Sequence, residues 1–483
     1  MKKVICLILA VLMLLGMAAC GASEGGAAAG DAAAATTAGG GGQFMAGFGK
    51  ANITPEGSVP MGGYGKELER MSKGVLSYLW VTCIAITDEY GETVLLYGID
   101  MIGSGTAKKQ SSVISKATGV PEENIVFSAS HTHSCPDVSH TEIPAVAEFL
   151  AIYKESLLTA AQDALADRKP ATMERASAET KGANFVRRYI MEDGSYAGSN
   201  YGDHSLKFVA YESEVDNVIQ LLKFVRDGRD IIVANFQTHP HKTGGMEKYD
   251  ISADIVGEFR DCMSAALDCD VVYFTGASGN INPYSFIKGD TIYDTYKDHG
   301  KAMADAALTC EGNYIPVATG KVQVIRQEFT ATVNHENDQY AEICKELRKL
   351  WDDGKISTAE LIKRGEAAGI KLSSAYHAGA IASRPSAGAT GTFTIGAIAI
   401  GDAGFVWAPY EMYDTNGMFI KENSPFDITI VATCANGANG YFPSLLGFEH
   451  GGYEPDTTKY IPGTAEELAD TYVELLTQLH GTK

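Results

Sequence analysis

Apolar residues along this chain fall into short runs of strand length, alternating with longer stretches at helical spacing. WVTCIAITD (80–88) and ETVLLYGIDM (92–101) flank an EYG turn and read as a hairpin. A helix around residues 108–118 follows, then NIVFSAS (124–130), an apolar run of strand length. IPAVAEFLAIYKESLLTAAQDALADR (143–168) is the clearest long helix. NVIQLLKFVRDGRDIIVANFQTH (217–239) reads as strand, Asp-Gly turn and strand. SADIVGEFRDCMSAAL (252–267) starts with a serine cap and runs as a helix into the strand DVVYFTG (270–276). Residues 335–384 read as mostly helical. TGTFTIGAIAIGDAGFVWAPYE and FDITIVATCANG read as strands, and GTAEELADTYVELLTQLH as a closing amphipathic helix.

This alternation predicts an α/β fold, a single large domain of mixed β-sheets flanked by helices over residues 44–483. No linker-like stretch or internal repeat divides that span. Several polar residues lie just past the end of an apolar strand: His131 after NIVFSAS, His239 after IIVANFQT, Asn280 after VVYFTGASG and Glu411 after GFVWAPY. Ligands collect at strand ends in α/β sheets, so a metal site is expected there.

The first residues change the picture of where the domain works. MKK, the apolar ICLILAVLMLLG and the small residues before Cys20 form a secretory signal over residues 1–20. Small residues directly before a cysteine resemble the bacterial lipoprotein cleavage box, which implies a lipidated Cys20 and a surface protein anchored to the bacterial membrane. Ordinary signal cleavage that removes Cys20 is the alternative. Residues 21–43, mostly Gly and Ala, read as a flexible tether. No later segment approaches about eighteen consecutive apolar residues, so the rest is expected to be soluble. The net charge of −21 repels phosphates and no basic stripe offsets it, which excludes nucleic acid as a partner. Apart from Cys6 and Cys20, the cysteines (83, 135, 262, 269, 310, 344 and 434) are odd in number and lack CxxC spacing. They read as reduced core residues.

The chemistry-bearing residues begin with SASHTHSCPD (128–137). In extended backbone, histidines at i and i+2 share a face and can reach one cation or one substrate. QTHPHKTGG repeats the arrangement with His239 and His241, the proline between them favouring extended backbone. Two such pairs at strand ends point to a metal. A hydrolytic zinc site takes about three protein ligands and leaves a position for water, and Glu411 could supply an oxygen.

SASHTHSCPD resembles the T-H-T-H-S-G-P signature of the neutral, non-lysosomal ceramidases, and the likeness runs over nearly the whole mature chain. GFGKANITPEGSVPMGGYG is similar to that family's opening G-x-G-x-x-D-I-T-G-P and M-G-Y, QTHPH to its strand-borne histidine, and APYEMYDTNG to its P-G-E-F-T segment. NGANGYFPSLLGFEHGGYE aligns with N-x-Y-x-x-Y-x-T-T, E-Y and Q-R-Y-E. By position the resemblance implies zinc ligands His131, His239, Glu411 and Tyr441, with His133 facing the scissile amide to take up or return a proton. It implies a zinc-dependent amidohydrolase of sphingolipid metabolism in which water activated by the metal attacks an N-acyl bond.

Departures from the pattern bear on the substrate. The family's G-D-V-S-P-N, with a serine held to be essential, becomes Gly279-Asn280-Ile281-Asn282-Pro283. Asn282 cannot be a nucleophile, though its amide can orient a carbonyl; Ser278 is not in the matching position. The family's N-R-S-P-x-A-Y becomes NFVRRYIMEDG, with Arg187 as its counterpart, and Arg187 and Asn282 are the candidate groups for polarising the substrate carbonyl. The family's C-terminal domain is expected to be missing, the sequence stopping after the region that follows YEP. The substrate is therefore expected to be a small-molecule or lipid amide, not necessarily ceramide. Two other readings stay open: a lipid-anchored solute- or metal-binding protein, and a catalytically inactive relative.

Overall fold

The computed structural model describes residues 42–64 and 67–482; the signal segment, Cys20 and most of the tether lie outside them. Strand β1 (Met45–Asn52) runs antiparallel to β2 (Trp80–Thr87), which turns back into β3 (Thr93–Ile99) as the sequence pattern predicts. β4 (Ile125–Ala129) lies parallel to β3 after a helical crossover. Then come β5 (Lys169–Glu179), β6 (Val218–Arg226), β7 (Ile231–Phe236) and β8 (Asp270–Thr275). The sheet order is β8-β7-β6-β5-β1-β2-β3-β4, with β9 (Ile315–Val317) beside β5. β6 and β7 form the second predicted hairpin, turning at Gly228 (φ +85°), and β7 and β8 are parallel. A second sheet holds β10 (Val322–Thr332), β11 (Thr390–Ile400), β12 (Ala403–Trp407) and β13 (Ile428–Ala432) in that order, the last two parallel.

Period-two alternation assigns each strand two faces. Ile84, Leu96, Phe224, Val233 and Phe274 of the first sheet pack against Ile398, Phe405, Trp407 and Ile430 of the second. Cys83, Leu95, Tyr97 and Phe127 point the other way, onto Phe149, Tyr153 and Leu157 of the helix Pro144–Ala166. The outer face of β6–β8 is covered by the helices Asp254–Leu267 and Tyr296–Leu308, and the outer face of the second sheet by Thr464–Gly481. The result is helices, sheet, sheet, helices. This is the predicted α/β class with mixed sheets, and residues 41–483 form one compact unit. All seven described cysteines are free, and only Cys262 is not fully buried. No helix among the described residues is long and apolar enough to cross a membrane.

Some local expectations need correction. The helix expected near 108–118 is two pieces, Gly105–Lys108 and Ser111–Thr118. The helix at Asp254 has Ala253 at its cap position; Ser252 sits one residue earlier, its Oγ accepting from the Asp254 amide at 2.9 Å.

β1 can lie under the long helix because two of its residues lack a side chain. A Cβ on Gly47 would fall 2.1 Å from the Ala164 carbonyl oxygen, and one on Gly49 2.2 Å from that of Ala160. Gly49→Ala is therefore expected to destabilise the fold by about 1–3 kcal/mol through overpacking, read as a lower urea midpoint. Gly103→Ala, where a Cβ meets nothing within 4 Å, is the control expected to change little.

Candidate metal centre

Strand ends that begin or close parallel pairs meet at one place. β4 leads to His131, β7 to His239, β8 to Ser278 and Asn280, β12 to Glu411, and β13 to Cys434. The junction is sewn by backbone: Ala129 N–H donates to the Cys434 carbonyl (3.3 Å) and Thr433 N–H to that of Thr275 (2.9 Å). Thr275 Oγ1 donates to the Ser130 carbonyl at 2.8 Å.

At this junction His131, His133 and His239 place ring nitrogens within 4.8 Å of one another. The ring centroids are 4.7 to 5.0 Å apart. His131 Nδ1 lies 2.6 Å from the Ile102 carbonyl and His239 Nδ1 3.1 Å from that of Ser278. A carbonyl only accepts, so each Nδ1 carries the proton and each Nε2 presents a lone pair. Glu411 brings Oε2 to 3.5 Å from His131 Nε2, and that oxygen is buried without a hydrogen-bond partner. His133 Nε2 lies 2.8 Å from His239 Nε2. Tyr441 pairs directly with Glu411 through a short parallel bridge, Glu411–Met412 with Tyr441–Phe442. Converging imidazole lone pairs and an orphaned carboxylate oxygen are what a divalent cation of zinc type would satisfy.

The electrostatics split the three imidazoles, holding His133 and His239 neutral and favouring a proton on His131. Burial, then the neighbouring His131, depresses the pKa of His133 and His239 well below the usual value. Burial acts downward on His131 too, but the Cys434 sulfur and the Glu411 carboxylate outweigh it. Burial pushes the Tyr441 hydroxyl well above 10, so it stays a neutral phenol.

The backbone at both histidine pairs is not the extended chain the spacing suggests. His131 has φ +64°, the left-handed region that non-glycine residues rarely adopt, held by its N–H to the Met101 carbonyl at 3.0 Å. His241 N–H returns to the His239 carbonyl at 2.9 Å, closing a three-residue turn around Pro240. The His241 ring stacks on Tyr284, and burial and Arg187 push its pKa down to about 3. Two glycines shape the wall at His133: a Cβ on Gly63 would fall 2.6 Å from its Nδ1, and one on Gly244 3.1 Å from its Cβ.

A cavity of 580 Å³ opens on His133 and His239 and also reaches Arg187, Asn282 and Tyr441. Asn282 donates its amide to Ser199 Oγ (2.8 Å), leaving Oδ1 unpartnered. Arg187 is buried rather than an exposed surface arginine. Its Nε donates to Glu454 at 2.7 Å and a terminal nitrogen to the Gly279 carbonyl at 2.7 Å. Glu454 also meets Arg188 at 3.2 Å, and Arg188 meets Glu212 at 2.6 Å. Burial opposes the charge on Glu454, yet the two arginines hold its carboxyl below the ordinary range. Sequence reasoning missed Glu454 as a partner; two adjacent arginines, Arg187-Arg188, in an otherwise apolar segment were the signal that a buried carboxylate must exist. Ser278 is buried and serves the site through its carbonyl. Asn280 does not line this cavity. It clasps Asp414, donating Nδ2 to Oδ1 (2.7 Å) and accepting from the Asp414 amide (2.9 Å).

The fold has solved counterparts. A crystal structure of neutral ceramidase from Pseudomonas aeruginosa superposes with TM-score 0.67 at 18% identity, over 91% of this chain and 75% of that one. A ceramidase complexed with C2 gives 0.68 at 18% identity, over 91% and 76%. This chain has the fold of those enzymes. No protein-family model and no curated protein sequence matches it.

The Asn280–Asp414 clasp yields a test. Burial pushes the Asp414 carboxyl up to about 7, while the Asn280 amide pulls it back. Asn280→Asp replaces that amide with a second acid, so the folded pair binds protons more tightly than the unfolded chain. Stability from those protons is complete below the unfolded carboxylate pKa of about 3.9 and is lost as pH rises through the raised folded value. The variant is expected to be about 3 kcal/mol less stable than the parent at pH 7.5, with the gap closing toward pH 4, measured by urea unfolding across pH.

Proposed function

We propose that this chain is an exported, lipid-anchored, zinc-dependent hydrolase of an N-acyl amide bond, held at the bacterial cell surface through Cys20. The observation that carries this reading is the difference among the three imidazoles. His131 and His239 each have Nδ1 fixed by a backbone carbonyl, with Nε2 turned into the junction toward Glu411 and His133 respectively, the arrangement typical of metal-ligating histidines. His133 Nδ1 has no partner, and the ring opens on the cavity. Zinc is accordingly assigned to His131, His239, Glu411 and Tyr441, and proton transfer to His133. Zinc bound there supplies a Lewis acid that lowers the pKa of water and polarises a carbonyl. The remaining work belongs to the chain. His133, neutral near pH 7, takes a proton at a ring nitrogen and returns it to the leaving amine. Arg187, held by Glu454, and Asn282, held by Ser199, flank the cavity where the amide carbonyl would be oriented. No serine nucleophile is required.

An inactive, metal-holding relative is the second reading, favoured by Asn282 standing where the ceramidase pattern has serine. Metal analysis and turnover on a panel of N-acyl and ester substrates separate the two. The purified chain is expected to carry about one zinc. His131→Ala and His239→Ala are expected to lose both zinc and activity. His133→Ala is expected to keep zinc and lose roughly 10²–10⁴ in kcat. Loss of zinc in His133→Ala overturns the division of roles. Full zinc without turnover on any substrate favours the inactive relative, and reversible ligand binding without turnover a binding protein.

A further inference from the structure

The walls of the 580 Å³ cavity differ in character from the protein around them. Lys242 and Lys248 face it against one carboxylate, Asp294, beside an Arg187 already paired with Glu454, although the chain as a whole carries −21. Lys242 Nζ donates to the Tyr293 carbonyl (2.5 Å) and Lys248 Nζ to that of Lys242 (2.7 Å). Each ammonium therefore has two of its three donors left. Neither forms an ion pair with a carboxylate among the described residues; Asp254 and Asp294 act on Lys242 only from farther away. Both lysines belong to the loop that carries His239 and His241, so the cationic wall is built into the same turn as the imidazoles. A positive patch running from half-buried Lys242 to exposed Lys248 along a cleft in a negative protein focuses field on anions.

The same walls are poor for an alkyl chain. Among the described lining residues there is no Leu, Ile, Val, Phe or Met; the apolar surface comes from tyrosine rings, Tyr64, Tyr284, Tyr376, Tyr441 and Tyr453. A long acyl chain would strip water from ammonium groups and amides while finding no aliphatic side chain to pack against. Leu446, Ala469 and the Phe419 ring do line a separate cavity of 410 Å³ beside Asn280, and none of the three imidazoles is among its described lining residues.

We infer that the substrate of this site is a small N-acyl compound bearing an anionic oxygen group, a carboxylate or a phosphate, near its amide, bound through Lys242 and Lys248. This rests on the amidohydrolase reading above.

The test uses the zinc-loaded full chain and matched pairs: an N-acetyl amino acid with its carboxamide, N-acetyl-O-phosphoethanolamine with N-acetylethanolamine, and a short-chain ceramide. The anionic member of at least one pair is expected to exceed its neutral partner by tenfold or more in kcat/KM, with the advantage shrinking as salt rises; which pair responds separates carboxylate from phosphate. Lys242→Gln with Lys248→Gln is expected to erase that advantage mainly through KM, and Lys242→Arg with Lys248→Arg to retain it. Equal rates within both pairs, ceramide as the best substrate, or an advantage that survives the glutamine pair overturns the inference. If nothing is hydrolysed, the amidohydrolase reading fails, and calorimetric titration of the same compounds decides the anion site. Anion binding lost in the glutamine pair upholds it; equal or absent binding overturns it.

Discussion

Backbone that leaves a buried sheet must find partners for its N–H and C=O groups, and the rest of this site depends on how that demand is met. Past the last ladder pairs of β4, β8 and β13, the chain bonds to itself across the junction. Two carbonyls left over, those of Ile102 and Ser278, accept from His131 and His239 Nδ1. Those two bonds satisfy buried acceptors and at the same time decide the tautomer of each ring. The orientation of these two rings is thus a by-product of completing the backbone. It also explains how His131 can remain at φ +64°: its amide and its ring are both tied to the segment after β3, at Met101 and Ile102.

Behind the imidazoles the constraint is charge. Arg187 and Arg188 are buried, and each would be costly without a counter-ion. Glu454 spans both and Glu212 completes the set, so the cluster is balanced internally. Arg187 lies 5.5 Å over the Tyr441 ring, and Tyr441 pairs with Glu411. Through that chain of contacts the ion cluster braces the Glu411–Tyr441 bridge, whose Glu411 carboxylate reaches His131. Removing the pairing would act on the site even though Glu454 itself does not line the cavity.

Much of this was readable in the sequence because it is local. The hairpins at 80–99 and 218–236, the long helix from Pro144 and the placement of His131, His239 and Glu411 past strands follow from apolar period and turn chemistry. What was hidden depends on partners far along the chain. The spacing of His131 and His133 suggested extended backbone, yet bonds to Met101 and Ile102 impose a left-handed residue. Pro240 suggested extension, yet it sits in a tight turn. That Asn280 faces Asp414 while Asn282 lines the cavity could not be told from two asparagines separated by one residue. Lys242 and Lys248 carry no signal of their own in the sequence, and only the fold brings them to the cavity of His133 and His239.

The two asparagines divide the site's divergence from the ceramidase pattern into separate physical questions. Asn280 is matched in both directions by Asp414, a donor–acceptor fit that a carboxylate in its place would break. That pairing satisfies both ends of the Asn280 side chain within the fold, away from the cavity that His133 and His239 line. Asn282 instead alters the cavity wall, where Oδ1 is left without a partner beside His241 and Arg187. The groups that hold the imidazoles in place are backbone carbonyls and glycines, which tolerate such changes around them. The imidazole cradle and the cavity wall are therefore held by separate sets of bonds, so residues on the wall can change without disturbing those that fix His131 and His239.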